Sequence, residues 1–249
     1  METNETLRKM REMKLLGMAD AFAAQLADRL TYDALPAETR VGMLVDAELD
    51  RRQSTRLENL LKGAKLRFPD ACSEAVIYDA KRGLARDELA RLFACAYVGD
   101  GIDVVITGPT GSGKSWMSCA LVVAGCRRYY SSRYVRLPEL LGELAAARAA
   151  GRYERAMAKY RKYDLLALDE FVLNTCTKDE TRDIYELVEG RSRTRSTIYC
   201  SQYREPGWLE RLGGGTSAEG IVDRITNNCY RLELTGDVNM RELTSRVAR

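Results

Sequence analysis

Residues 103–115 read Asp-Val-Val-Ile-Thr-Gly-Pro-Thr-Gly-Ser-Gly-Lys-Ser, and this stretch decides how the rest of the chain is interpreted. Its first five residues, Asp103–Thr107, contain a β-branched run that predicts a short buried strand. The segment Gly108–Ser115 then matches the pattern G-x-x-x-x-G-K-[ST], and an apolar helical stretch follows from Trp116. A strand, this loop and a helix in that order predict a P-loop, which binds nucleotide phosphates.

The spacing of this loop has a physical basis in phosphate binding. Its glycines let the backbone turn with N–H groups pointing inward, and the loop ends at a helix N-terminus whose partial positive charge favours the same anion. Lys114 is expected to contact the β- and γ-phosphates of ATP, and Ser115 to bind Mg²⁺ through its hydroxyl. The predicted nucleotide-binding residues are Gly108, Pro109, Thr110, Gly111, Ser112, Gly113, Lys114, Ser115 and Trp116.

A second motif lies at residues 164–170, which read Asp-Leu-Leu-Ala-Leu-Asp-Glu. Four apolar residues followed by two acids predict a buried strand that ends in a polar site. In a P-loop protein this is the Walker B pattern. Asp169 would hold Mg²⁺, and Glu170 would polarise the attacking water, because phosphoryl transfer to water needs an oriented nucleophile.

A polar pair stands at the end of the strand predicted over Ser196–Ser201. A polar side chain at a strand tip beside the P-loop can sense the γ-phosphate or place the attacking water. Gln202 has the chemistry for this role, and Ser201 is the alternative. Arg191 precedes this strand and is interpreted either as structural or as facing a neighbouring subunit.

Composition limits the possible functions. The chain has 249 residues, a formal net charge of +3, seven cysteines and no histidine. The lack of histidine excludes His-based nucleophilic triads, and an odd number of cysteines without a C-x-x-C pair argues against a disulfide framework or a zinc site. The polar, acidic N-terminus and the absence of a long apolar run predict no signal peptide and no membrane span, so a cytoplasmic location is expected.

The first part of the chain predicts a small helical module. Residues 6–30 place apolar side chains near helical spacing, which predicts one amphipathic helix, and a second helix is expected over about residues 36–61. We therefore predict a helical domain over residues 1–70, which would contact DNA, a partner or other subunits. A nucleotide-binding domain is predicted over residues 71–249.

The later part of the second helix is basic, and Glu58 is the only acidic residue between positions 51 and 67. This charge run predicts either a solvated helix face or a surface that contacts DNA phosphates. The candidate DNA-contacting residues are Arg51, Arg52, Arg56, Lys62, Lys65 and Arg67.

The remaining stretches complete an α/β pattern. Further strands are predicted over Ser132–Leu137 and Cys229–Leu234, giving a five-stranded parallel sheet with helices on both faces and the ligand at the carboxyl edge. The segment Arg152–Lys162 interleaves basic residues with tyrosines, and is either a nucleic-acid contact or an exposed helix with half-buried tyrosines. Tyr78–Gly83 would contact adenine or form a hinge, and Gly213–Gly215 predicts a mobile loop.

Taken together, the motifs resemble those of IstB-like proteins, which are AAA+ ATPases that assist an insertion-sequence transposase and are relatives of the DnaC helicase loaders. The resemblance covers nearly the whole chain. It rests on the P-loop, on residues 164–171, on residues 196–203, on Asp223-Arg224-Ile225 with Asn227, Asn228 and Arg231 following, and on the N-terminal segment Met10–Leu26.

The resemblance implies a function as well as a fold. It implies an AAA+ ATPase core over residues 71–249. Members form homo-oligomers with ATP on double-stranded DNA, with little sequence preference, and deliver the DNA to a cognate transposase. Hydrolysis then occurs between subunits, with Arg224 as the finger that reaches a neighbour's nucleotide and Gln202 or Ser201 at the sensor 1 position.

Two features depart from the family pattern. Trp116 stands where the family often has histidine, which affects the floor of the pocket rather than the phosphate contacts. The chain also ends shortly after the fifth strand, so no full lid domain is predicted, and Arg241 is the nearest candidate for a sensor 2 arginine.

Three other functions share some of these features. A DnaC-type replicative helicase loader has the same ATPase core and a different N-terminal partner. A nucleotide-gated binding scaffold would use binding alone, with hydrolysis incidental. A small-molecule kinase is disfavoured, because Asp169-Glu170 suits water activation and no acceptor site is evident.

Overall fold

The computed structural model describes residues 2–78, 83–235 and 239–240, with side chains described from residue 5 onward. The chain forms two compact units, which divide after Asn59 rather than after residue 70 as predicted. Residues 60–70 belong to the larger unit because Ala64 is fully buried and the Gly63 carbonyl accepts a hydrogen bond from Arg133 Nη1 at 3.2 Å. None of the described helices is long and apolar enough to cross a membrane.

The smaller unit is helical, as predicted, but its first helix is interrupted. Instead of one helix over residues 6–30, the chain turns at Lys14, whose backbone is left-handed with a φ of 61°. The N–H groups of Gly17 and Met18 then donate to the Glu48 carboxylate at 2.8 and 3.2 Å, which satisfies the start of the next helix. The helices of this part of the chain are α1 (Glu2–Glu12), α2 (Leu16–Ala27), α3 (Arg29–Tyr32) and α4 (Ala37–Ala64), the last of which continues past Asn59 into the larger unit.

Gly17→Ala is expected to lower the free energy of unfolding by about 1–3 kcal/mol. A Cβ at this position would lie 2.5 Å from the backbone oxygen of Ala47, so α2 would have to move away from α4. Denaturant unfolding followed by circular dichroism measures the change. Gly42→Ala, on α4 with no heavy atom within 4 Å of the added methyl, is the control and should be neutral or slightly stabilising. Equal stability of the two variants would contradict the close packing.

The larger unit contains, within the described residues, the predicted five-stranded parallel sheet. The strand order is β2-β3-β4-β1-β5, and every neighbouring pair is parallel. Two strands end one residue earlier than predicted. The strands are β1 (Asp103–Thr107), β2 (Ser132–Arg136), β3 (Leu165–Asp169), β4 (Ser196–Ser201) and β5 (Cys229–Glu233).

The helices of the larger unit follow the strands. Hydrophobic spacing over residues 84–98 is typical of one helix, but the chain forms two, separated at Cys95, where φ is 58°. The helix after the three glycines begins at Gly215. The described helices are α5 (Arg86–Phe93), α6 (Ala96–Gly99), α7 (Lys114–Arg127), α8 (Leu137–Ala149), α9 (Tyr153–Lys162), α10 (Lys178–Arg191), α11 (Glu205–Arg211) and α12 (Gly215–Thr226).

Helices cover both faces of the sheet. Val105, Leu166 and Tyr199 pack with residues of α8 to α12 in one hydrophobic cluster. Because successive strand residues point to opposite faces, their neighbours in sequence face the other side, where α7 lies and Gly125 packs against Leu165. A sheet buried on both faces explains why its strands are nearly continuous apolar runs.

Arg191, at the end of α10, is a structural residue of the larger unit. Its side chain is almost fully buried, and it donates to the backbone oxygens of Tyr160, Tyr163 and Ser196 at 3.0, 2.7 and 2.6 Å. It also donates to the hydroxyl of Thr197 at 2.9 Å. One guanidinium therefore joins the end of α9 to the start of β4.

Candidate nucleotide site

A cleft of about 460 Å³ lies at the carboxyl edge of the sheet and brings the two sequence motifs together. It is lined by P-loop residues, by Asp169 and Glu170 at the end of β3, and by Gln202 beyond the end of β4. Ligands of open α/β sheets bind at this edge because the loops that follow the strands converge there. Trp116, the departure from the family pattern, also lines the cleft.

The P-loop has the conformation that its glycines allow. Gly108, Gly111 and Gly113 have φ values of 151°, 89° and 95°, which residues with a side chain rarely adopt. A Cβ on Gly108 would collide with the backbone oxygen of Leu234, and one on Gly111 would lie 2.7 Å from Asn239 Oδ1. These two positions therefore require glycine both for the turn and for close approach of the neighbouring chain.

The side chains of the loop are arranged around its own backbone. Lys114 Nζ donates to the carbonyl oxygens of Gly108 and Pro109 at 2.6 and 2.7 Å, so the ammonium group lies over the loop. Ser115 lines the cleft at the first turn of α7. Thr110 Oγ1 donates to Gln202 Oε1 at 3.0 Å, which connects the P-loop to the tip of β4.

Asp169 is buried and held by two hydrogen bonds. Its Oδ2 accepts from the Tyr134 hydroxyl at 2.5 Å, and its Oδ1 accepts from the Glu170 N–H at 2.9 Å. Burial, followed by the nearby Asp169 carboxylate, raises the pKa of Tyr134, so the phenol remains a donor. Sequence reasoning missed Tyr134, because its place beside Asp169 follows only from the pairing of β2 with β3.

Glu170 lies between two arginines. Its backbone is left-handed, with a φ of 57°. Its Oε2 accepts from Arg136 Nη2 and Nε at 2.7 and 3.0 Å, and its Oε1 lies 3.8 Å from Arg67 Nη1. The bond to Glu170 raises the pKa of Arg136. Arg67, one of the predicted DNA-contacting residues, also lines the nucleotide cleft.

The geometry distinguishes Gln202 from Ser201. The Ser201 side chain is buried, and its hydroxyl donates to the Phe171 carbonyl at 3.0 Å. The same oxygen accepts from the Tyr203 N–H at 3.2 Å and from the indole N–H of Trp208 at 3.0 Å. Ser201 is thus committed to internal bonds, whereas Gln202 faces the cleft and remains the candidate sensor.

Arg224 lies on α12 and is not among the described residues that line the cleft. It forms an ion pair with Glu189, and its Nη1 and Nη2 donate to the Gly220 carbonyl and the Tyr185 hydroxyl at 3.0 and 3.3 Å. Its side chain remains 29% exposed. The structure therefore does not bring Arg224 to the nucleotide site of its own subunit.

Two basic surfaces lie elsewhere on the chain. On the smaller unit, Arg51, Arg52 and Arg56 line a shallow groove of about 420 Å³. Two of these arginines have acidic partners outside positions 51–67: Arg51 pairs with Asp20 of α2 at 3.0 Å, and Arg52 pairs with Glu48, one turn earlier on α4, at 2.7 Å. Lys62 and Lys65 are exposed. The role of these residues in DNA binding stays a prediction.

The second basic surface is a groove of about 950 Å³ between α8 and α9. Four cationic residues line it, and Glu143 is the carboxylate among the lining residues. The tyrosines of this segment are partly or fully buried, as the second sequence interpretation expected. The cationic residues are Arg152, Arg155, Lys159 and Lys162.

Two sequence predictions fall largely outside the described residues. Residues 79–82 of the proposed adenine contact and Arg241, the candidate sensor 2, are not described. Phe68 and Ile77, which the sequence did not single out, line the cleft and are 37% and 44% exposed. No local sequence motif marks these two residues as part of the site. Their exposure at the cleft identifies them.

Comparison with known proteins gives matches over nearly the whole chain. Residues 8–248 match the family described as IstB-like ATP binding protein. The insertion sequence ATP-binding protein y4uH of Sinorhizobium fredii is 37% identical over 238 residues, which cover 96% of this chain and 95% of that protein. The ATP-binding protein of insertion sequence IS1162 from Pseudomonas fluorescens is 38% identical, over 81% of this chain and 87% of its own length.

Solved structures show the same fold at low sequence identity. The crystal structure of the DnaC helicase loader aligns with a TM-score of 0.59 at 16% identity, over 68% of this chain and 98% of that chain. AMPPCP-bound DnaA from Aquifex aeolicus aligns with a TM-score of 0.57 at 18% identity, over 70% of this chain and 52% of that chain. The chain therefore shares its fold with these two proteins over about two thirds of its length.

Proposed function

Because the chain belongs to the family of IstB-like ATP-binding proteins, we propose that it is an ATP-hydrolysing transposition helper that assembles on DNA and delivers it to a transposase. The observation that carries the proposal is the cleft itself. Lys114 and Ser115 of the P-loop, the buried carboxylate of Asp169, and Glu170 all line one cavity. Such a site suits a nucleoside triphosphate and an oriented water molecule.

The residues present fit Mg²⁺ as well as ATP. Magnesium prefers oxygen ligands and is usually held by one or two protein groups together with substrate phosphates. The Ser115 hydroxyl and the Asp169 carboxylate supply such oxygens at the cleft. When bound there, the ion would neutralise negative charge that develops on the phosphates. Tyr134 and the Glu170 N–H would keep the Asp169 carboxylate in place.

Hydrolysis at this site depends on a few side chains of the protein. Lys114 stabilises negative charge on the β- and γ-phosphates, and Glu170 orients a water molecule and accepts its proton. The water oxygen forms a bond to the γ-phosphorus while the bond from phosphorus to the bridging oxygen of ADP breaks. Phe68 and Ile77 offer apolar surface for the nucleobase on the other side of the cleft.

Arg224 is proposed to act on the nucleotide of a neighbouring subunit. It is partly exposed and does not line its own cleft, so a second copy must approach for it to reach a phosphate. Glu189 and Tyr185 hold the guanidinium until then. An arginine supplied in this way can raise a hydrolysis rate by about 10³-fold or more.

Mixing two inactive variants tests this arrangement. Arg224→Ala and Lys114→Ala are each expected to lose most ATP hydrolysis. An equimolar mixture should recover activity, because a Lys114→Ala subunit can offer its Arg224 to the intact P-loop of an Arg224→Ala neighbour. The rate per subunit of the wild type should also rise with protein concentration, with and without duplex DNA. No recovery on mixing, or full activity of Arg224→Ala alone, would contradict action between subunits.

DNA binding is proposed to use the basic grooves described above. The groove between α8 and α9 has four cationic residues around it and one carboxylate, so it favours a polyanion. Contacts of this kind recognise phosphates rather than bases, which agrees with low sequence preference. Affinity for duplex DNA should therefore fall steeply as salt concentration rises.

A helicase loader of the DnaC type is the second candidate. The curated relatives at 37–38% identity are insertion-sequence proteins, whereas the likeness to DnaC concerns the fold alone. This difference favours the transposition helper. A pull-down of the full chain against a transposase and against a replicative helicase, with ATP and DNA present, separates the two functions.

A further inference from the structure

Two arginines approach the Glu170 carboxylate from different parts of the larger unit. Arg136 ends β2 and makes two hydrogen bonds to Oε2, at 2.7 and 3.0 Å. Arg67 follows α4 by three positions, and its Nη1 lies 3.8 Å from Oε1. Each carboxylate oxygen of Glu170 is therefore paired with its own guanidinium. The proposed reaction needs the same carboxylate to orient a water molecule.

The two arginines differ in their relation to the cleft. Arg67 lines the cleft, whereas Arg136 is not among the described residues that line it. Arg136 belongs to β2, which lies at the edge of the sheet on the side of β3 that faces away from β4 and β1. Arg136 therefore pulls Glu170 toward β2 and away from the P-loop, whereas Arg67 lies at the cleft itself.

Arg67 is held where this role requires it. The last turn of α4 belongs to the larger unit, where Ala64 is buried and the Gly63 carbonyl accepts from Arg133 of β2. The backbone N–H groups of Arg67 and Phe68 face the thiol of Cys119 on α7. The Arg67 guanidinium also opposes the rise in the pKa of Tyr134, the residue that donates to Asp169. Arg67 therefore pairs with Glu170 and influences the tyrosine that holds Asp169.

We propose that Arg67 is a positioning residue for hydrolysis, which holds the Glu170 carboxylate on the cleft side against the pull of Arg136. The inference rests on the proposed function, because it presupposes hydrolysis at this site. With both arginines present, the carboxylate stays within reach of a water molecule beside the γ-phosphate. Without Arg67, Glu170 remains with Arg136, and the water loses its orientation.

Steady-state kinetics of single and double variants test this role. Arg67→Ala should lower kcat by about tenfold or more, because an oriented base contributes about 10²–10⁴-fold. The KM for ATP and the affinity for a non-hydrolysable ATP analogue should stay within about threefold of wild type. Arg67→Lys keeps a cation near the carboxylate and should recover part of the kcat. Arg182→Ala removes an exposed arginine from an ion pair on α10 and should match the wild type.

The double variant gives the sharpest outcome. Arg67→Ala with Arg136→Ala should have a higher kcat than Arg67→Ala alone, since the opposing pull on Glu170 is then absent. A purely structural role for Arg67 would give no such recovery. Thermal unfolding of each variant, followed with the analogue bound, separates a loss of fold from a loss of positioning, and Arg67→Lys serves as the folded substitute.

The remaining outcomes are also decisive. Absence of hydrolysis in the wild type, despite analogue binding, would overturn the proposed function and the role of Arg67 with it. An active wild type with an unchanged Arg67→Ala would overturn the role of Arg67 alone. So would a raised KM with unchanged kcat, which would mean that Arg67 contacts the nucleotide rather than Glu170.

Discussion

Glu170→Gln is expected to hydrolyse ATP at least about a hundredfold more slowly than the wild type while binding it with similar affinity. The amide keeps the size of the side chain but cannot accept the proton of the attacking water. It also lacks the negative charge that Arg67 and Arg136 hold in place. Multiple-turnover and single-turnover hydrolysis, together with the affinity for a non-hydrolysable analogue, measure both parts of the expectation.

Glu210→Gln is a matched control for this variant. Glu210 is an exposed carboxylate on α11 and does not line the cleft, so its loss should leave the hydrolysis rate unchanged. A rate for Glu170→Gln within tenfold of wild type would show that another group activates the water. If Glu170→Gln binds ATP, does not hydrolyse it and still supports transposition, the protein acts as a nucleotide-gated scaffold.

Arg191→Met is expected to lower the free energy of unfolding by more than about 4 kcal/mol. Burial lowers the pKa of Arg191 to about 10, so the guanidinium is charged at neutral pH and its bonds are charge-assisted. Methionine fills part of the space but leaves the buried oxygens of Tyr160 and Ser196 without their donor. A loss of this size approaches the whole stability of many domains. Denaturant unfolding and soluble yield measure it.

Two further variants separate this effect from a general loss of charge. Arg191→Lys keeps the charge, but three donors on one nitrogen cannot reach acceptors spread around a planar guanidinium, so an intermediate loss is expected. Arg182→Met removes an exposed arginine from the same helix and should change stability by no more than about 0.5 kcal/mol. Similar unfolding midpoints for Arg191→Met and Arg182→Met would contradict the structural role.

The core of the site could be predicted because its signals are local. The P-loop and the acidic strand end are each short motifs. Each is recognised from residues that are adjacent in the sequence. The apolar runs at Asp103–Thr107 and Ser196–Ser201 gave strand bounds that match the structure. Since parallel strands bring their carboxyl ends to one edge, the meeting of P-loop and Asp169 followed from the same reasoning.

The helix breaks could not be predicted, because hydrophobic periodicity continues through them. Lys14 and Cys95 adopt left-handed backbone although neither is a residue type that favours it. At Lys14 the cause is distant in sequence, since Glu48 binds the start of the next helix and Gly17 packs on the α4 backbone. Tertiary contacts here override the local preference for one continuous helix.

The contacts of Arg67 and Tyr134 at the site could not be predicted for the same reason. The sequence placed Arg67 in a basic run, because counting charges along a helix ignores partners from other segments. Its contact with Glu170 joins residues that are far apart in the chain, as does the bond from Tyr134 to Asp169. Such pairs depend on strand order and register, which a single sequence does not encode in any local pattern.

The chain contains two tryptophans, and both lie at or next to the nucleotide cleft. Trp116 lines the cleft at the start of α7. The indole N–H of Trp208 is hydrogen-bonded to Ser201, the neighbour of Gln202 in sequence. The protein therefore carries both of its tryptophan fluorophores where nucleotide would bind, one in the cleft and one bonded to the sensor strand, so its tryptophan emission reports on this site without an added label.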